Sequence, residues 1–202
     1  HVEYEGPECL SFRDVVACET AGGLIALRYL KEQERMFLEG DNLAKRLLVQ
    51  GKDVTLHRNL SDHRGNSYGY HENYQIERST WGRVQSAIIT HLVTRDIFAG
   101  CGWYNMGKER YELSPRPWFT DTEKNLVAVS GWRGLINTRT EPHASSEYGR
   151  LHVIAGSPTM SEFSTYLKIG TTAMVVEMAE AGFLADFHTP KNTLKEFKEV
   201  SA

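Results

Sequence analysis

The residues best equipped for chemistry are concentrated in Asn66-Ser67-Tyr68-Gly69-Tyr70-His71-Glu72-Asn73-Tyr74, which carries a carboxylate, an imidazole, two amides and two glycine-flanking tyrosines with almost no aliphatic filler. It continues as Tyr74-Gln75-Ile76-Glu77, an alternating pattern that reads as a strand rather than a loop tip. Its polar groups are therefore expected on one face of a sheet. A second polar run, Ile136-Asn137-Thr138-Arg139-Thr140-Glu141-Pro142-His143, lies further along, and His1-Val2-Glu3-Tyr4 is a third. Separate His/Glu clusters of this kind suggest one site built by convergence.

The residue types suit a metal–polyphosphate site. Glu3 and Glu72 offer hard oxygens, which magnesium prefers alongside phosphate oxygens and water. His71 and His143 can ligate through nitrogen or donate to phosphate. Zinc is the other cation such a set could hold, but closely spaced signatures such as HExxH are absent from the sequence. Arg139 presents the planar fork that grips phosphate at two points. The Walker and GxGxxG patterns are also absent, so the expectation is ATP held on an open sheet with metal ions bridging its phosphates. Taken singly, each residue has a plainer role: His71 bonding a turn, Glu3 solvated, Arg139 paired with Glu141. His152, on an apolar strand, reads as a satisfied core histidine or one supporting the ligands. His91 reads as structural, and His57, His63 and His188 have no supporting context.

Positioning these groups falls to a mixed set of elements. The pattern predicts helices over residues 19–38, with Leu24, Leu27 and Leu30 on one face, over 82–98, from Thr159 to Ala181, and over 192–200. Thr159-Met160-Ser161-Glu162 has the form of a capping box, and Gly182 that of a helix stop. Strands are expected at Val54–His57, Leu126–Val129, Leu135–Asn137 and Leu151–Ala155, with a loop or hairpin from Lys108 to Trp118. This order lacks a regular βαβ alternation and favours α+β with an antiparallel sheet. The chain has 202 residues, a length compatible with one large domain or two small ones. A net charge of -3 provides no electrostatic case for nucleic acid, and no apolar run is long enough to span a bilayer. Cys9, Cys18 and Cys101 form no CxxC and read as reduced thiols of a cytoplasmic protein.

The same runs resemble the Pup ligase and Pup deamidase (depupylase) family, a branch of the glutamine synthetase-like carboxylate–amine ligases. His1-Val2-Glu3-Tyr4 with Gly6-Pro7-Glu8-Cys9 is similar to the family's HxEYxxPE segment. Arg58-Asn59-Leu60-Ser61-Asp62 followed by Gly65–Tyr74 resembles NNTD…SYGxHENY, and Leu92-Val93-Thr94-Arg95 with Gly100-Cys101-Gly102 resembles LVTR…GAG. Ile136–Ala144 resembles INTRDEPHA. Tyr148–Glu162 resembles YRRLHVIxGDxNMSE, and Leu167–Thr171 resembles LKVGT. The match keeps its order over almost the whole chain.

The resemblance implies a curved antiparallel sheet, helices packed on its convex face, and ATP with magnesium on the concave face. It implies one partial catalytic domain over residues 1–202, truncated at both ends. By the same resemblance Glu3, His71 and His143 are the expected metal-site residues, and Arg139, Asn59 and Glu72 the expected nucleotide contacts. The catalytic residue is not identified in this chain, because the family's aspartate lies upstream of the segment matching His1–Tyr4. A first-strand glutamate is likewise upstream, so the chain by itself is expected to be inactive. The implied reaction phosphorylates the C-terminal glutamate of Pup and joins it to a lysine of a target protein. Deamidation or depupylation at the same site is the alternative, and a non-catalytic binding module the alternative of another class. Departures from the pattern are Arg58 and Thr140, Ser157 in place of the family's aspartate, and a poorly matching stretch over 103–134.

Overall fold

A computed structural model describes residues 3–38, 55–126, 133–139, 145–184 and 190–202. The chain divides into two units, His1–Arg58 and Asn59–Ala202.

In the first unit an extended segment leads into helix α1, Phe12–Leu38. Its start is set by Ser11. The hydroxyl accepts the Asp14 backbone N–H at 3.2 Å and donates to the Asp14 carboxylate at 2.7 Å, which satisfies a donor that the helix cannot satisfy itself. The helix thus begins a full two turns before the periodicity alone indicates. Leu24 and Leu27, expected on a packed face, are exposed. Arg58 pairs with Glu19. Residues 55–57 carry no strand; Val54 lies outside the described residues.

The second unit is built around a four-stranded sheet of order β1-β6-β5-β4. Its strands are β1 (Glu72–Glu77), β4 (Thr122–Asn125), β5 (Gly134–Asn137) and β6 (Tyr148–Val153). β1 pairs with β6 and β6 with β5 antiparallel, but β4 runs parallel to β5. The sheet is therefore mixed rather than wholly antiparallel, a difference no strand pattern announces, since pairing direction is set by the connections. A separate hairpin pairs β2 (Trp103–Asn105) with β3 (Arg110–Glu112). Of the strand expected over Leu126–Val129, Leu126 is a bend just after β4, and 127–129 lie outside the described residues.

Helices α2 (Trp81–Ala99), α3 (Glu162–Glu180) and α4 (Thr193–Ser201) pack together and back the sheet. Ile76, Leu151 and Val153 from the strands meet Val84, Ile88 and Leu92 from α2 and Val176 from α3 in one buried apolar cluster. The capping box expected at Thr159 does not form. Thr159 is buried and its hydroxyl meets that of Thr165 at 2.6 Å, while Ser161 takes the cap position without a side-chain bond. Gly182 does close α3, with φ at +80°, a conformation that favours glycine.

Candidate functional site: two faces of one strand

Alternation along β1 divides its side chains between the two faces of the sheet. Glu72, Tyr74 and Ile76 point toward the helices, and Asn73, Gln75 and Glu77 point away. β6 repeats the division: Gly149, Leu151 and Val153 are buried, whereas Tyr148, Arg150 and His152 lie opposite them.

Cations hold the helix-facing side. Arg95 of α2 grips both oxygens of Glu72, each at 2.8 Å, and also donates to Thr172 at 2.9 Å. The Tyr74 hydroxyl adds a bond to Glu72 at 2.6 Å. Burial alone would raise the Glu72 carboxyl, but the charges of Arg95 and Lys168 hold it below the usual carboxylate range. Lys168 of α3 donates to the Tyr70 hydroxyl at 2.6 Å and to the Ser157 carbonyl at 2.9 Å. Arg116 donates to the Tyr68 carbonyl at 3.0 Å, the Ser67 hydroxyl at 3.3 Å and the Gly156 carbonyl at 3.1 Å. Arg95, Arg116 and Lys168 are all fully buried. They fasten positions 67, 68, 70 and 72 from behind, which fixes the face that positions 71 and 73 present. Gly156 completes this clamp, because a Cβ there would meet the Tyr70 ring at 2.5 Å and Glu72 Oε1 at 2.7 Å.

The opposite face carries a polar rung across the sheet. Strand register aligns Asn73 with His152, His152 with Asn137, and Asn137 with Asn125. Paired residues share a face, so one imidazole and three amides form a row. Gln75 and Arg150 form the next rank. The His71 ring meets the His152 ring edge-on, with centroids 5.0 Å apart. Among the described residues, His152 Nδ1 and Arg150 Nε are buried atoms with no hydrogen-bond partner. Burial, then the neighbouring His71 and Arg150, push His152 down to about 4. It is a neutral imidazole at pH 7, able to offer a lone pair.

The expected site residues distribute unevenly. His71 stands on this open face. Arg139 is exposed just beyond β5, its backbone N–H bonded to Asn137 Oδ1 at 2.8 Å. Asn59 is exposed and donates to the Ser61 carbonyl at 2.7 Å. Glu3 is an exposed residue of the first unit. His143 lies outside the described residues. Glu72 stands apart from His71: its carboxylate is on the helix side of the sheet, bonded to Arg95 and Tyr74, so it braces the strand. The odd–even alternation of the strand dictates this, because adjacent residues cannot both face one side. His152 and Arg150 also stand on this candidate face, although the sequence reading placed His152 in the core or behind the ligands and did not single out Arg150. Their signal was present in Tyr148-Gly149-Arg150-Leu151-His152-Val153, whose period of two sets the polar residues apart from the buried ones.

The mixed sheet backed by helices is a glutamine synthetase-like fold, as the structural match below shows. A family model described as Pup-ligase protein matches residues 1–202, and the chain belongs to that family. It is 39% identical over 207 residues to a depupylase of Acidothermus cellulolyticus, covering 100% of this chain and 39% of that protein. It is 38% identical over 210 residues to a Pup–protein ligase of Renibacterium salmoninarum, covering 100% of this chain and 42% of that one. The solved structure of the Pup ligase PafA in complex with ADP is similar over 100% of this chain and 43% of its own, with TM-score 0.83 and 33% identity. PafA in complex with Pup gives TM-score 0.76 and 33% identity over 97% of this chain and 38% of its own. The chain thus spans roughly two fifths of the length of these relatives. Among the described residues, no helix is long and apolar enough to cross a membrane.

Proposed function

We propose that this chain supplies part of the nucleotide site of a cytoplasmic, ATP-dependent ligase that joins the C-terminal glutamate of Pup to lysines of target proteins through a γ-glutamyl phosphate, and that residues 1–202 are one partial catalytic domain. The observation that carries this is the polar rung, where His152 Nδ1 and Arg150 Nε are buried without partners among the described residues. Buried polar atoms left unbonded are costly in a resting protein, and the His152 ring lies against that of His71. Phosphoryl transfer asks mainly for positioning and charge neutralisation. Imidazole, amide and guanidinium donors fit the oxygens of a polyphosphate.

In this reading Arg139 and Asn59 contact the nucleotide, and Arg150 joins them. Glu72 serves at one remove, by bracing the strand that carries His71. By the same family resemblance Glu3, His71 and His143 would be the residues that serve a magnesium ion. The ion would supply neutralisation of charge on the transferred phosphoryl group. Among the described residues no group of three or more acidic, His or Cys side chains is arranged to hold a metal.

The depupylase reading rests on a specific observation, the 39% identity to the Acidothermus depupylase. One assay separates the two. The whole protein is incubated with ATP, magnesium, a lysine-bearing target, and Pup ending in Glu or in Gln. Conjugation of Pup-Glu supports the ligase. Conversion of Pup-Gln to Pup-Glu, or release of Pup from a conjugate, supports the depupylase. Silence in all arms overturns both. Within the same assay Arg139→Ala is expected to weaken nucleotide binding by about 2 kcal/mol, with Arg139→Lys recovering only part, because a point charge does not replace a two-point fork. Unchanged nucleotide affinity in Arg139→Ala removes Arg139 from the site.

A further inference from the structure

Cys9 and Cys18 lie nine positions apart, one in the extended segment before α1 and the other on the helix, and their sulfurs are 4.0 Å apart. Both are free and partly buried. The extended segment lies back along α1. At one point Tyr4 covers Gly22, where an added Cβ would overlap the aromatic ring. At the other Cys9 meets Cys18. Cys9 also points its thiol at the Pro7 carbonyl, 3.4 Å away. The two sulfurs must approach by about 2 Å to bond. Residues 3–9 carry no regular secondary structure, so their backbone is not held by a hydrogen-bond ladder that would resist this shift.

We propose that Cys9 and Cys18 form a reversible disulfide under oxidising conditions, and that this bond pins the segment bearing Glu3 to helix α1. The oxidant is a peroxide, or a low-molecular-weight disulfide such as oxidised glutathione. With peroxide, one thiolate attacks the O–O bond, giving a sulfenic acid and hydroxide. The second thiol then attacks that sulfur, the S–S bond forms, and the oxygen leaves as water. In total two thiols and one peroxide give one disulfide and two waters. With a low-molecular-weight disulfide, one thiolate displaces one thiol to give a mixed disulfide, and the second thiol displaces the other. Partial desolvation, then the adjacent Cys18 thiol, hold the Cys9 thiol above its ordinary range. Little thiolate is present at neutral pH, and closure belongs to the minutes-to-hours scale of uncatalysed thiol chemistry. Cys101 is not part of the pair. Its thiol is raised by burial and by Asp96, and it sits in the second unit.

The sequence makes the test clean, because Arg13 separates the two cysteines and the next trypsin site is Arg28. The reduced protein is treated with hydrogen peroxide, or with oxidised glutathione, then alkylated and digested without reductant. The expected product is the peptide ending at Arg13 joined to peptide Asp14–Arg28, lighter than the sum by two hydrogens and separated by dithiothreitol. The joined species should persist in Cys101→Ser and vanish in Cys18→Ser. Amide exchange over Tyr4–Cys9 should slow several-fold in the oxidised protein. Alkylated Cys9 and Cys18 after either oxidant, over-oxidation without a cross-link, or disulfides only between chains would overturn the pairing. A cross-link with unchanged exchange over Tyr4–Cys9 would overturn the pinning. None of these readouts depends on ligase activity, so the inference and the proposed function fail separately.

Discussion

The two faces of β1 use the same kinds of residue to opposite ends. On the helix side, Glu72 meets every bonding demand: two bonds from Arg95 and one from Tyr74. On the other side, one residue away, stand His71 and the row of Asn73, His152 and Asn137, with buried atoms left unbonded among the described residues. A charge that is buried and paired strengthens one geometry and punishes its loss. A polar atom that is buried and unpaired is a cost that a ligand can remove. The helix side therefore holds the strand still, and the open side has something to offer.

The largest effect should come from breaking the satisfied side. Arg95→Met leaves Glu72 buried without a partner and should cost about 3–5 kcal/mol of stability, measured by denaturant unfolding. The double variant Glu72→Leu/Arg95→Met should recover much of that loss, since no stranded charge remains. A single variant losing less than about 1 kcal/mol would mean the pair is solvated, and the contrast between the faces would collapse.

Next in size is Gly156→Ala, at about 1–3 kcal/mol for forcing atoms into a packed site. The methyl group would press on Tyr70 and Glu72, so the clamp loosens as the protein weakens. Wild-type stability in this variant would show that the loop at Gly156 has room to move.

The dependence on pH sharpens the comparison further. His91 and His152 are both pushed down to about 4 from 6.5, burial being the leading cause in each. Folded, they bind protons more weakly than unfolded, so stability should fall on acidification between about 6.5 and 4. Asp96 works the other way. Burial raises it to about 6 from 3.8, so the folded protein holds that proton more tightly and its contribution falls as pH rises through this window. Asp96→Asn should steepen the acid-side loss, read from unfolding midpoints across the range. An unchanged slope would place Asp96 in contact with water.

The smallest effect on stability is expected on the open face. His71→Asn should change unfolding by about 0.5 kcal/mol or less while weakening nucleotide binding. It should also let the His152 proton be taken up at higher pH, since His71 is one of the charges that hold it down; a histidine NMR titration reads this directly. A large loss of stability with intact nucleotide binding would reverse the roles assigned to the two faces.

Much of the scaffold was legible beforehand because hydrophobic period is a local property. α2, α3, α4, β5 and the stop at Gly182 fall close to where spacing put them. The run Asn66–Tyr74 also led into β1 as its alternation predicts, though it divides between the two faces. The partners of individual side chains were not legible. Thr159-Met160-Ser161-Glu162 has the letters of a capping box, yet Thr159 spends its hydroxyl on Thr165, while Ser11 and Asp14 form the cap that was overlooked.

The sequence by itself determined the family, the alternation of β1 and β6, and the placing of His71 and Arg139 next to strand ends. Only the tertiary structure decided that β4 runs parallel to β5, that Glu72 belongs to Arg95, and that His152 joins His71. The reason is physical. A strand's period says that two neighbours face opposite ways, but not which side the helices cover. That choice is made by Arg95, Arg116 and Lys168, which come from α2, the turn following β3 and α3, distant in sequence from the strand they hold.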